Sequence, residues 1–197
     1  MRDQLELTIG GGTGCRSTCS SVGSRQAHVG ALLEDVHPEA AGAGAGHRLV
    51  RSESPPMLNE VAISFVVTAM ANPREKQPPL VLVAISEDLI GRGKAVGVDL
   101  NGKSVALDHD GVIHTMRGHS GQNERLRGQE PITAEDIAMF GSILHAAILR
   151  AGDPPKARDG APMLEGAAAL GGWLYGFAAK VRRRHVVLHT LFKRHHQ

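Results

Sequence analysis

The stretch from Leu107 to Asp136, LDHDGVIHTMRGHSGQNERLRGQEPITAED, constrains the fold most, because it carries its own start and stop signals between two apolar flanks. Asp108 predicts the N-cap of a helix from His109 to about Gly118, since its short side chain can accept a hydrogen bond from a free N–H of the first turn. Val112, Ile113 and Met116 give that helix a narrow apolar stripe. SGQNERLRGQEP then reads as a loop. Thr133, with Asp136 three residues on, is a variant of the capping box and opens a second helix running to about Arg150. Ile137, Phe140, Ile143, Leu144, Ala147 and Ile148 recur at helical spacing along it.

The flanks must then supply the scaffold. Met57 to Ala71 alternates like a strand at Val61, Ile63, Phe65 and Val67, and fits a buried helix nearly as well. Asn72-Pro73 ends it, and Pro78-Pro79 marks a linker. Leu80 to Ile85 reads as a buried strand, followed by a short helix capped by Ser86. Asn101-Gly102, between Val96–Leu100 and Lys103–Leu107, is a strong hairpin signal. After the second helix, Asp153 to about Gly166 reads as a loop. Gly172 to Val181 and His185 to Lys193 read as two strands joined at Arg182, Arg183 and Arg184. Regular alternation puts Val186, Leu188, Thr190 and Phe192 on one face of the last strand, and sends Thr190 and Lys193, three apart, to opposite faces unless the end twists.

Residues 1–56 lack such patterns. Gly, Ser, Ala and His dominate, and glycine costs the most ordering entropy while burying nothing, so a flexible extension is expected. The predicted organisation is residues 1–56 as extension, 57–79 as apolar segment and linker, and 80–197 as the domain. Ile9 to Thr18 approaches a phosphate-binding loop, but Cys15 and Arg16 replace the glycine and lysine that such a loop uses. Cys15 and Cys19 lack a second pair, which excludes a zinc knuckle and a disulfide framework. An apolar fraction of 42% supports a core, whereas only six aromatic residues argue against a surface of stacked aromatics. The net charge is +2, yet Lys180 to Gln197 holds six Lys/Arg, four His and no acid, which suits an anionic partner such as RNA or DNA. The longest apolar run, Val61 to Ala71, is well short of the roughly 20 residues that span a bilayer. No membrane association and no signal peptide are expected, and a cytoplasmic location unless the chain is exported by a route that leaves no cleavable signal.

His109, His114 and His119 are spaced by five. Five residues turn a helix by ~140°, so these rings cannot share one face, and a three-histidine metal site on one helix is disfavoured. A zinc site using His109, His114 and a remote ligand is the weaker alternative. His119 falls where the first helix should end, free to point into a cleft. Cleaving RNA without metal needs a base, an acid and cations for the phosphoryl charge, and the central stretch and last strand contain all three types.

The run Val112 to His119 (VIHTMRGH), then Glu124 and Arg127-Gly128-Gln129, then Pro131-Ile132-Thr133 with Asp136-Ile137, and finally Leu188 to Lys193 (LHTLFK), resembles a phage-associated branch of the barnase–EndoU–colicin–RelE nuclease class. Order and spacing agree from about residue 80 to the C-terminus. The resemblance implies an α+β fold, with helices packed on one face of a small, mainly antiparallel sheet. It implies cofactor-free cleavage of RNA through a 2′,3′-cyclic phosphate. His119 and His114 correspond to the helix histidines, Arg127 to the loop cation, and Thr190 and Lys193 to the closing strand. Arg117, Arg125, Arg182, Arg183 and Arg184 are the expected substrate-binding cations. Expected partners are the RNA, an immunity protein or antitoxin, and a phage head or toxin-delivery protein. The alternative is a catalytically inactive phage structural or nucleic-acid-binding module of the same fold.

Overall fold

The computed structural model describes residues 56–196. The phosphate-loop-like run, the two cysteines and the expected extension fall outside these residues, apart from Pro56. Helix α1, Pro56–Ala71, resolves the first ambiguity in favour of a helix. Ala62, Val66 and Ala69, spaced by four and three, are buried along one stripe and belong to the main core, so the packed core reaches across residue 80.

Strand β1, Leu80–Ala84, leads into helix α2, Glu87–Ala95, where the Ser86 hydroxyl accepts from the Leu89 N–H at 3.3 Å. The Asn101-Gly102 turn is present, with Gly102 at φ 65°. Only its second arm is a strand: β2, Ser104–Leu107, pairs antiparallel with β1 and not with Val96–Leu100. The hairpin expectation fails because Val98 and Leu100 are buried against the end of α2. The Val98 N–H bonds the Gly93 carbonyl, and the Leu100 side chain fills the space that a Cβ at Gly93 would need.

Helix α3, His109–His119, starts as its sequence predicts, with Asp108 accepting from the Gly111 N–H at 2.7 Å. The following loop contains a 3-10 turn, Gln122–Arg127. The single helix expected to reach Arg150 is instead two short ones, α4 (Ala134–Ala138) and α5 (Phe140–Ala146). The Arg92 guanidinium ends α5 from outside, donating to the carbonyls of His145 at 2.7 Å and Ala147 at 2.5 Å. Ile148 then opens β3, Ile148–Lys156, which pairs with β4, Pro162–Leu170, where a loop was expected. β3 is a sheet edge and its pairing with β4 is interrupted between Ala151 and Lys156, so Pro154 and Pro155, read as part of a loop, are tolerated there. A tight turn at Gly171 and Gly172, φ 60° and 82°, leads to β5, Trp173–Val181, and then β6, His185–His195.

The fold is α+β, with a six-stranded mixed sheet in the order β1-β2-β6-β5-β4-β3. β2 and β6 are parallel and the other pairs antiparallel. The five helices of the described residues all contribute to one core cluster against the sheet, and a smaller cluster of Ala157, Met163 and Ala178 lies apart from it. Among the described residues no helix is long and apolar enough to cross a membrane.

Two features of β6 position the site. First, β2 pairs only with Ser104 opposite His185 through Ala106 opposite Val187. Beyond that, α3 runs along the open edge of β6. Gly111 sits so close to the Leu188 carbonyl that no Cβ would fit, the Thr115 hydroxyl reaches the His189 carbonyl at 3.5 Å, and the Glu130 N–H donates to the Lys193 carbonyl at 2.8 Å. Second, β6 carries a bulge at His189: Ala179 pairs with Leu188, but Ala178 pairs with Thr190. The extra residue reverses the alternation. Val186, Leu188 and Leu191 lie in the helix-side core, while Thr190 is opposite Ala178 of the smaller cluster. The expectation that Val186, Leu188, Thr190 and Phe192 share a face is therefore corrected.

Candidate acid–base site at the end of α3

His119 is the last residue of α3 and only 8% exposed. Its place is fixed by the Ile132 N–H, which donates to the His119 carbonyl at 2.8 Å and ties the helix end to the strand-like segment before α4. Both ring nitrogens are engaged. Nδ1 lies 3.0 Å from Oε2 of Glu124, and Nε2 lies 3.0 Å from the Thr190 hydroxyl. The Phe192 ring is tilted against the imidazole, with centroids 6.2 Å apart. Glu124 is 2% exposed, and its other oxygen, Oε1, accepts from Nη1 of Arg127 at 2.9 Å. The 3-10 turn makes this possible by setting Glu124 and Arg127 three residues apart on one side. Gly128 ends the turn in the left-handed conformation, φ 70°.

The result is a linear chain: Arg127, Glu124, His119, Thr190. A buried carboxylate at Nδ1 favours the tautomer that donates there, which leaves the lone pair of the neutral ring on Nε2, facing the Thr190 hydroxyl. Three sequence-predicted residues, His119, Arg127 and Thr190, meet here. The residue that joins them, Glu124, belongs to the motif quoted from the sequence but was not among its expected site residues. Its signal was its position, since it is the only acid between His119 and Glu130.

Lys193 does not join this chain. Its side chain is on the other face of β6, where Nζ bonds Oδ2 of Asp136 at 2.6 Å and lies 4.9 Å from the centre of the Trp173 ring. Asp136 also accepts from the Tyr175 hydroxyl at Oδ1, 2.7 Å, and closes the capping box by accepting the Thr133 N–H at 2.7 Å. Burial works to raise the Asp136 pKa, but the hydrogen bonds from Lys193, Thr133 and Tyr175 outweigh it and hold the carboxyl below its ordinary range. The same surroundings, burial first and then Asp136, push the Tyr175 phenol well above its usual value. This network ties α4 to β5 and β6.

The remaining predicted residues are dispersed. His114 stacks on His189, with ring centroids 4.8 Å apart and planes 6° from parallel. His114 and Arg117 line a surface cleft of about 420 Å³ together with Pro73, His109, Asp110, Ile113 and Gly118. Arg125 is exposed and paired with Glu130 at 3.3 Å. Arg182, Arg183 and Arg184 form the β5–β6 turn, and Arg182 pairs with Asp159 at 2.8 Å. Five residues of strand, about 16 Å, separate His185 at that turn from Thr190, so the triplet lies at the far end of the sheet from His119. The zinc alternative finds no support in the donor set, because among the described residues no three His, Cys, Asp or Glu side chains are grouped to hold a metal. His109 instead bonds the Pro73 carbonyl through Nε2 at 3.2 Å.

No protein-family model matches the chain, and neither a curated protein nor a solved structure does.

Proposed function

We propose that the protein is a metal-independent endoribonuclease that cleaves RNA through a 2′,3′-cyclic phosphate. The observation that carries this reading is the Glu124–His119–Thr190 chain, with Arg127 at its outer end. The neutral His119 takes the proton from a ribose 2′-hydroxyl at Nε2, while Glu124 stabilises the resulting imidazolium from Nδ1. The 2′-oxygen then attacks the adjacent phosphorus, the bond to the 5′-oxygen of the next nucleotide breaks, and that oxygen takes a proton from solvent water. Thr190, displaced from Nε2 by the substrate, donates to a phosphoryl oxygen, while Arg127, at the other end of the chain, holds the Glu124 carboxylate in place. The ordered resemblance of the central and closing segments to the barnase–EndoU–colicin–RelE class supports the same reading. So does the basic C-terminal segment.

The test is incubation of RNA with the wild type and with His119→Ala, both with chelator present. Wild type should yield 2′,3′-cyclic phosphate ends, and His119→Ala should cleave at least ~100-fold more slowly. Equal rates would overturn the assignment of His119. Loss of wild-type cleavage on adding chelator would overturn the metal-free mechanism.

A further inference from the structure

Resting on the nuclease reading, the geometry points to a second element, a subsite for single-stranded RNA along the outer face of α3. We infer that the cleft between the Pro73 turn and α3 holds a nucleotide next to the one being cleaved. The cleft volume, about 420 Å³, lies within the range of ligand-binding clefts. His109, Ile113, His114, Arg117 and Gly118 line it, so it follows the helix up to the residue before His119. Its link to the acid–base chain is indirect: His114 stacks on His189, the neighbour of Thr190 in β6.

The lining suits a nucleotide in three respects. The His114 ring, backed by the parallel His189 ring, offers one flat face at the cleft, which suits a base. Arg117, three residues after His114 and so on the same side of α3, places a guanidinium where a phosphate would follow. The acid in the lining, Asp110, is paired with Lys76 at 3.0 Å, which reduces its repulsion of an anion. His109, 4% exposed and held through Nε2 to the Pro73 carbonyl, fixes the start of α3 against the Pro73 turn and so shapes the cleft. Duplex RNA is disfavoured, because a base stacked on the histidine pair must be unpaired.

The experiment uses the full chain and a short fluorescent single-stranded RNA with 2′-O-methyl groups throughout, which can bind but cannot form the cyclic phosphate. Binding is read by fluorescence anisotropy, alongside cleavage of the unmodified RNA. Arg117→Ala and His114→Ala should each weaken binding about five- to tenfold, and Arg117→Lys should restore part of it. Lys94→Ala removes an exposed cation on α2 and should leave binding unchanged. Equal weakening by Lys94→Ala and Arg117→Ala would overturn the subsite, since it would mean binding by net charge alone. Tighter binding of a duplex than of the single strand would also overturn it. Absence of cleavage by wild type, with binding still lost in Arg117→Ala, would reject the nuclease reading and keep the subsite. Cleavage lost in His119→Ala, with binding unaffected by Arg117→Ala, would do the reverse.

Discussion

Two carboxylates lie beside β6, one on each side, and they do different things. Glu124 and Asp136 are both nearly sealed from solvent, with side chains 3% and 5% exposed, and each holds a cationic or potentially cationic partner. Asp136 is closed. One oxygen receives Tyr175, and the other receives Lys193 and the Thr133 cap. Glu124 is open. Its chain runs out to Arg127, whose side chain is 54% exposed, and inward through His119 to a half-buried hydroxyl, the group that the proposed substrate would displace. Burial and ion pairing are common to both, so neither identifies a reactive group. The distinguishing feature is a titratable nitrogen whose partner can leave.

The comparison breaks most visibly at Lys193. Lys193→Ala leaves a buried carboxylate without its cation and should destabilise the fold by ~3–5 kcal/mol in urea denaturation. Lys193→Met with Asp136→Asn, which keeps the volume and removes the charge left behind, should fold and still cleave RNA at close to the wild-type rate. Cleavage lost in that double variant when well folded would return the Lys193–Asp136 pair to the chemistry and erase the contrast drawn here.

Glu124→Gln probes the open side. It should leave the fold in place and slow cleavage about tenfold or more, because the amide no longer fixes the ring or balances its charge. Nitrogen NMR of the His119 ring should then show the proton no longer confined to Nδ1. An unchanged rate and an unchanged tautomer would make Glu124 a structural residue only.

The smallest effect concerns pH. The Asp136 pKa is depressed, so its contribution is present above the ordinary carboxylate value of 3.8 and is lost as pH falls below it. The Tyr175 pKa is raised, so its contribution is present below the ordinary phenol value of 10.0 and is lost only as pH climbs past it. Urea midpoints should therefore fall at both extremes. Tyr175→Phe should flatten the alkaline fall, and an identical alkaline profile in the two proteins would remove Tyr175 from the account.

Local chemistry made much of this legible in advance. The Asp108 cap, the Thr133–Asp136 box, the His119 helix end and the opposite facing of Thr190 and Lys193 all depend on neighbours in sequence. The failures share another cause. Val96–Leu100 carries strand alternation, but its buried side chains serve the end of α2. Ile143 to Ile148 fits a helix, but Arg92, more than fifty residues away in sequence, caps it early. Pro154 and Pro155 suggest a loop until their strand turns out to be an edge whose pairing is interrupted there. Glu124 acquires a role only when a 3-10 turn carries it to a ring five residues back. In each case the deciding contact is one that a pattern along the chain does not encode.

The bulge at His189 has a consequence best put as arithmetic. Along β6 the face of each side chain depends on whether the count from Leu188 is odd or even, and the inserted residue changes that parity for everything beyond it. With a regular strand, Thr190 would point into the helix-side core and Lys193 would reach the other surface. Removing one residue between Thr190 and Lys193 would therefore leave the hydroxyl beside His119 while turning the lysine away from Asp136. Chain length within this single strand, rather than residue identity, decides which of the two networks exists.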